Sequence, residues 1–567
     1  MTGNRHGARA SRVHSDTRAM AGANTNGWST IDTVRATPCE KVEGRAASGG
    51  VARDVVGDAI GSRVVGACRD HGSDCAASGY AALRAEVACS VPLDRSHDRV
   101  APSRSPLAFL RDPLAALGAA AATGDAPRLW LGPVRVRLLV HPDAVRQVLV
   151  ARQRDFSGLA FEAVRRIAGD GVIQVQGDAH RRQRRVMQPA FHRERLARYG
   201  EVMTTHAARW SDSLHDDETL AVREAMVALT LGIVGESLFG DADAAAVDDV
   251  RAYLDAGLSL FGPVTLPIAR WLEYLPLPAV RRFTTLRARL DARIASMIVS
   301  RVADAHAGAS SRDDLLAMLI AARDAERPEQ DPAVADAATG MASRKAMQRD
   351  RTRPLDDRWI RDEVMTLVLA SHETTASALT WCWRLLAEHP DAEARLHAEV
   401  DALGVQAPTM DDLPRLPWTR AVFDEALRLQ PTVPFVFRRA SADVALGDAG
   451  AGVTIRRGEV VVLSPYVTQR DGRWWHDPDA FRPDRWLDDT ARAARPRFAW
   501  FPFGGGARVC IGEHFATAEA VLILATVARR WRLRHSDDAP GRTSARLDPL
   551  APTRPSDRWR MRVERRR

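Results

Sequence analysis

In W-F-P-F-G-G-G-A-R-V-C-I-G-E-H-F-A-T-A-E, Trp500 to Glu519, a single cysteine, Cys510, stands in a glycine-rich loop with Arg508 two residues before it. An apolar, alanine-rich helical pattern begins just after Gly512. Glycines at 504, 505, 506 and 512 let the backbone turn tightly and approach a flat partner closely. The helix opening at Gly512 aims free N–H groups back toward the sulfur. Such surroundings favour thiolate over thiol. The competing reading is a buried free cysteine in a glycine-rich turn, the commoner fate of a lone cysteine.

The order Phe503, Gly506, Arg508, Cys510, Gly512 resembles the haem-binding loop of the cytochrome P450 family, F-x-x-G-x-R-x-C-x-G, with no position missing. The resemblance implies a mainly α fold with a smaller β region, in which a long central helix lies over a haem and the cysteine loop lies beneath it. It also implies that Cys510 is the proximal thiolate ligand of haem b, iron protoporphyrin IX, which favours O–O cleavage. Phe503, Gly506 and Gly512 would shape the cradle, and Arg508 would anchor a propionate.

Outward from the loop, other segments carry the same resemblance. In G-D-A-H-R-R-Q-R-R-V-M-Q-P-A-F-H, Gly177 to His192, His180 and Arg184 are four apart and share a helix face. The family places both residues on a haem propionate. The arginines at 181, 182, 184, 185 and 193 also read as a solvated basic face, a docking surface for a redox partner. Leu355 to His389 predicts one helix of about 50 Å, with A-S-H-E-T-T, Ala370 to Thr375, at its middle. An acid and two hydroxyls among apolar residues are costly to bury unless hydrogen-bonded or working. The family pattern A-G-x-E/D-T-T lies over the haem, so the resemblance implies that Ala370 faces the haem and that Glu373 and Thr374 deliver protons to dioxygen. Ser371 replaces the usual glycine, which bears on groove geometry. The alternative for this segment alone is a threonine bonded back to its own helix beside a surface glutamate.

E-A-L-R, Glu425 to Arg428, would by itself be a weak surface ion pair. With F-R-P-D-R-W, Phe481 to Trp486, downstream, the resemblance implies that Glu425, Arg428 and Arg485 form a buried charge cluster that locks the cysteine loop beneath the haem. Loss of one partner from such a cluster costs about 3–5 kcal/mol. Between them P-T-V-P-F-V-F-R-R-A, Pro431 to Ala440, is an extended run after a helix stop. Thr432, Val433, Pro434 and Phe435 would line the pocket. Either Arg438 or Arg439 would reach a propionate, with Arg438 preferred.

The 567 residues, 46% hydrophobic and 27% charged, suit a soluble globular protein. The net charge of +8 comes mostly from arginine spread along the chain, which argues against nucleic-acid binding and suits an acidic electron-transfer partner. Six cysteines include no C-x-x-C pair, removing the main support for zinc-ribbon and dithiol readings. With no signal-peptide core and no uncharged run of transmembrane length, the expected setting is the reducing cytoplasm.

Residues 1–104, with Trp28 and Tyr80 as their aromatics, are expected to be a disordered extension or the product of a start assigned too early. Residues 105–567 are expected to form a single catalytic domain. Its pattern predicts a short helix at Leu114–Ala122, two strands within Pro127–Val140 around Gly132-Pro133, and a helix at Pro142–Arg152. Phe156–Asp170 reads as a less regular segment, either a packed loop or, as the resemblance implies, a variable loop over the substrate pocket, and Leu196–Ile320 as helical almost throughout. In the resemblance, the break at Gly257–Pro278 is a mobile lid. Asp324–Pro354 reads as a surface loop, and strands follow up to Val467. A helix at His514–Trp531 and strands within Leu547–Glu564 close the chain.

The expected function is a haem-thiolate monooxygenase inserting one atom of O2 into a hydrophobic small molecule. NAD(P)H electrons would arrive through a separate ferredoxin or flavodoxin-type donor and its reductase, and the protein would be a monomer. The alternatives are a haem-thiolate peroxygenase or isomerase, or a haem sensor without turnover. The retained Glu373–Thr374 pair speaks against the first of these.

Overall fold

A computed structural model describes residues 112–567 apart from 132–133, 160–161, 241–243, 262–276, 307–313, 327–354, 405, 448–451, 537–552 and 554–558. The expectations for residues 1–104, the Gly132-Pro133 turn, most of the Asp324–Pro354 loop and the middle of the Gly257–Pro278 stretch lie outside the described residues.

Helix α1 (Pro113–Ala121) is capped by the Asp112 carboxylate, which accepts from the Ala115 N–H at 2.9 Å. Strands β1 (Arg128–Leu131) and β2 (Val134–Leu139) pair antiparallel, as the alternation predicts. Helix α2 (Pro142–Arg146) runs straight into a π-helical turn, Gln147–Ala151, whose wider spacing matters for the cysteine loop. Phe156–Asp170, expected as a less regular segment, instead gives an edge strand and a helix, β3 (Phe156–Gly158) and α3 (Glu162–Ala168). The reason is tertiary: β3 has only three residues and forms against Arg438–Ala440, while Ile167 and Ala168 bury one side of α3.

Helices α4 (Gly177–Met187) and α5 (Arg193–Ser213) follow. After them come strand β4 (Thr219–Leu220) and helices α6 (Val222–Phe239), α7 (Ala244–Phe261), α8 (Pro278–His306) and α9 (Leu315–Glu326). The two residues of β4 interrupt a region expected to be helical, because they pair with the far C-terminal strand.

The long helix α10 (Asp357–Glu388) has 32 residues, about 48 Å at 1.5 Å per residue. Asp356 caps its start by accepting from the Trp359 N–H at 2.7 Å, and Pro390 opens the next helix where α10 stops. Its flanks pack against α6 and α12 (Pro417–Leu429), with α11 (Pro390–Asp401) between in sequence. The last long helix, α13 (Glu513–Ala528), packs on α5 and is buried at every residue from Thr517 to Ala528. That explains its continuous apolar and alanine-rich sequence.

The smaller β region contains β5 (Val436–Ala440), β6 (Val444–Ala445), β7 (Thr454–Ile455), β8 (Val460–Leu463), β9 (Trp531–His535) and β10 (Met561–Arg565). The main sheet has the order β1-β2-β8-β5-β3; a second is β4-β10-β9, and β6 pairs with β7. Strand β8, V-V-V-L, is buried at all four positions, as suits a strand flanked by a parallel neighbour, β2, and an antiparallel one, β5. Among the described residues no helix is long and apolar enough to cross a membrane.

His397 on α11 is buried and its pKa is lowered to about 3, first by burial and then by Arg566 and Arg532. Between about pH 3 and pH 6.5 the unfolded chain therefore binds a proton that the folded chain does not. Stability must rise with pH across that window. In denaturant titrations, the pH slope of native stability is expected to be shallower in His397→Gln by up to about 1.4 kcal/mol per pH unit. Superimposable slopes would show that His397 stays protonated in the fold.

Candidate active site

The cysteine loop hangs on hydrogen bonds that glycine makes possible. Gly504 (φ +75°) and Gly506 (φ +68°) adopt left-handed conformations, and the Gly504 N–H donates to the Phe501 carbonyl at 2.9 Å. The Cys510 N–H donates to the Phe503 carbonyl at 2.9 Å and Arg184 donates to the Val509 carbonyl at 2.7 Å. Gly506 lies directly on the π-helical turn, where an added Cβ would come within 1.8 Å of the Leu149 carbonyl oxygen. Next to it, the Gln153 side chain accepts from the Ala507 N–H at 2.9 Å. Neither Gln153 nor the π turn was foreseen from sequence. Both come from tertiary docking of a remote segment, without a local motif.

Cys510 itself is exposed. The surrounding chain is nevertheless dense enough that desolvation pushes its thiol up, against the downward pull of the Gly512 N–H and Arg184. A cation at the sulfur would hold the negative charge against that desolvation.

Above the loop four cationic or basic groups converge. His180 is buried on α4, and its pKa is lowered to about 4, first by burial and then by Arg508, Arg184, Arg181 and Arg438. Arg438 on β5 is held down to about 10 by burial and by Arg508. Arg508 spends its guanidinium on the Val175 carbonyl at 2.5 Å and the Gln176 side chain at 2.8 Å. Among the described residues no carboxylate pairs with Arg184, Arg438 or Arg508. Buried like charges without counter-ions are costly, so this donor set fits a ligand carrying acid groups of its own, such as the two propionates of a haem. Arg439, the alternative to Arg438, alternates to the exposed side of β5.

Glu425, Arg428 and Arg485 meet as expected. Arg428 forks onto the Glu425 carboxylate with two bonds of 2.8 Å, and Arg485 adds a third at 3.1 Å. The Trp486 indole and the Arg482 N–H complete the shell at 2.9 Å each. Glu425 and Arg428 are both 0% exposed.

On α10, Thr374 donates to the Ala370 carbonyl and Ser371 to the Leu367 carbonyl, each at 2.7 Å. The back-bonding reading therefore holds for the hydroxyls. It fails for the acid: Glu373 is buried, with Arg223 of α6 bonding its two oxygens at 3.1 and 3.2 Å. Arg223 was not anticipated, since nothing in the sequence links it to a position 150 residues on. The Ser371 hydroxyl thus adds a bond to its own helix at the position where the family pattern has glycine.

The two loop glycines make a testable contrast. Gly504→Ala would place its Cβ in ordinary contact with the Arg508 carbonyl oxygen at 3.9 Å and should cost only the left-handed penalty of about 1–2 kcal/mol. Gly506→Ala adds a backbone collision, and thermal or denaturant midpoints should fall clearly further. Equal losses would mean that the loop does not rest on the π turn.

The cytochrome P450 family model matches residues 119–555. Cyclooctatin synthase of Streptomyces melanosporofaciens is 40% identical over 77% of this chain and 90% of its own length. Cyclooctat-9-en-7-ol 5-monooxygenase of the same organism is 35% identical, covering 77% and 88%. Pentalenene oxygenase of Streptomyces avermitilis is 34% identical, covering 79% and 92%. Among solved structures, the retinoic acid bound cyanobacterial CYP120A1 superposes with a TM-score of 0.66 at 24% identity, covering 81% of this chain and 96% of that one, a likeness of fold. The mainly α architecture with its smaller β region, the buried cluster behind the loop and these relatives agree, and the chain belongs to the cytochrome P450 family.

Proposed function

We propose that this haem-thiolate monooxygenase hydroxylates or epoxidises a cyclic terpenoid, with residues 105–567 as its single catalytic domain. The observation that carries the reading is the convergence of His180, Arg184, Arg438 and Arg508, without carboxylate partners, beside an exposed Cys510. Cys510 would hold the haem, and the basic groups would take its propionates. The bound haem supplies dioxygen activation; the chain positions substrate, excludes water and moves protons. Phe503, Gly506 and Gly512 would shape the proximal cradle and Ala370 the distal wall. Thr374 would present its hydroxyl to dioxygen, exchanging its bond to the Ala370 carbonyl for one to the substrate oxygen, and Glu373 would resupply that hydroxyl with protons. Because Arg223 holds the Glu373 carboxylate, Glu373 can take part only by leaving that ion pair. The names of the Streptomyces relatives support a terpenoid substrate, and Thr432, Val433, Pro434 and Phe435 would supply apolar pocket wall.

Electrons would come from NAD(P)H through a ferredoxin or flavodoxin-type donor and its reductase. The exposed Arg181, Arg185, Arg193 and Arg198 on α4 and α5 offer an acidic carrier a landing face. We place the enzyme in the cytoplasm, as a monomer.

Turnover of pentalenene and other cyclic terpene hydrocarbons with surrogate ferredoxin and reductase under 18O2 tests the reading. One labelled oxygen per product is expected. Thr374→Ala should keep consuming NAD(P)H while product per NAD(P)H falls at least about tenfold. Product carrying unlabelled oxygen from water instead, or full coupling in Thr374→Ala, would contradict it.

A further inference from the structure

The buried charge cluster does not itself touch the cysteine loop. Among the described residues, Glu425, Arg428 and Arg485 bond to one another, to residue 469 and to the segment 476–486. None of them bonds to residues 500–512. One route from the cluster to the loop is apolar: the Trp486 indole, which donates to Glu425, packs edge-on against Trp500 with ring centroids 5.0 Å apart; a second route is polar.

Gln469 stands in it, 0% exposed and with both ends of its amide in use. Its Nε2 donates to the Leu427 and Arg428 carbonyls at 3.0 and 3.1 Å, satisfying carbonyls at the end of α12. Its Oε1 accepts the Phe501 N–H at 3.1 Å, at the start of the loop, and its own carbonyl takes an Arg428 guanidinium N–H at 2.9 Å. From Phe501 the chain of bonds continues: the Phe501 carbonyl accepts from Gly504, and two residues on, the Phe503 carbonyl accepts the Cys510 N–H. Trp475 gives a parallel brace, its indole donating to the Ala499 carbonyl at 3.2 Å.

We infer that Gln469 is a positioning residue for the proximal thiolate: it transmits the Glu425–Arg428–Arg485 cluster to Phe501 and so fixes the height and hydrogen bonding of the Cys510 loop. The inference rests on Cys510 being the haem ligand. A side chain with two donors and one acceptor is required. Gln469→Leu removes all three bonds and frees the Phe501 turn. Gln469→Glu keeps an acceptor for Phe501 while losing the donors to α12. A loosened loop would hold the Cys510 side chain less firmly in the place where it would meet the haem.

The test follows the ferrous carbon monoxide complex of the haem-loaded protein, in which the thiolate-ligated band converts with time to the thiol-ligated one. It also measures the ferric/ferrous potential. Thr468→Val is the control. It deletes the neighbouring hydroxyl bond to the Val140 carbonyl, 3.0 Å, without touching the loop. Conversion is expected to be about five- to tenfold faster in Gln469→Leu than in Thr468→Val, the scale of one lost hydrogen bond, with a shifted potential and with Gln469→Glu in between. If Gln469→Leu does not fold, Gln469→Glu carries the comparison alone. Rates and potentials equal to those of Thr468→Val would overturn the inference. A wild-type protein that never shows the thiolate band would instead overturn the ligand assignment on which it rests.

Discussion

A single carboxylate, Glu425, sits fully buried and receives Arg428, Arg485, the Trp486 indole and the Arg482 amide. Removing charges from water is tolerable only when every lone pair finds a donor, and here four groups from two chain segments supply them. The consequence is geometric. The end of α12, the run of turns through 476–486 that ends in a 3-10 helix and, through Gln469 and Trp475, the start of the cysteine loop are held as one body. The loop glycines then settle onto the π-helical turn, and Cys510 is presented at a fixed place.

Much of this was legible in the chain. The cysteine loop, the His180/Arg184 spacing and the long helix are local patterns, whereas the meeting of Glu425 and Arg428 with Arg485, 60 residues on, was expected only from the resemblance to the family. The choice between Arg438 and Arg439 was not local, since it depended on which face of β5 turns inward. Arg223, Gln153, Gln469 and Gln176 were invisible for the same reason: each is a polar residue without a motif, given a role only by a partner from another element. Short strands β3 and β4 were missed because two- and three-residue strands are created by their partners, not by propensity.

The two sides of the site are built on opposite principles. The proximal side is over-determined, with the Phe501, Gly504, Ala507, Val509 and Cys510 amides all committed. On the distal side the Thr374 and Ser371 hydroxyls are satisfied by their own helix and Glu373 by Arg223, so each functional group has a resting partner that it must leave. A rigid support beneath and exchangeable bonds above suit a reaction in which a ligand must stay fixed while protons move.

Iron-edge X-ray absorption of the haem-loaded protein, wild type against Cys510→Ala, bears most directly on the central claim that Cys510 is the proximal ligand. One sulfur scatterer in the first coordination sphere of the wild type, lost in the variant, is the result this account predicts. A first sphere of nitrogen and oxygen alone in the wild type, or a sulfur that survives the substitution, would contradict it.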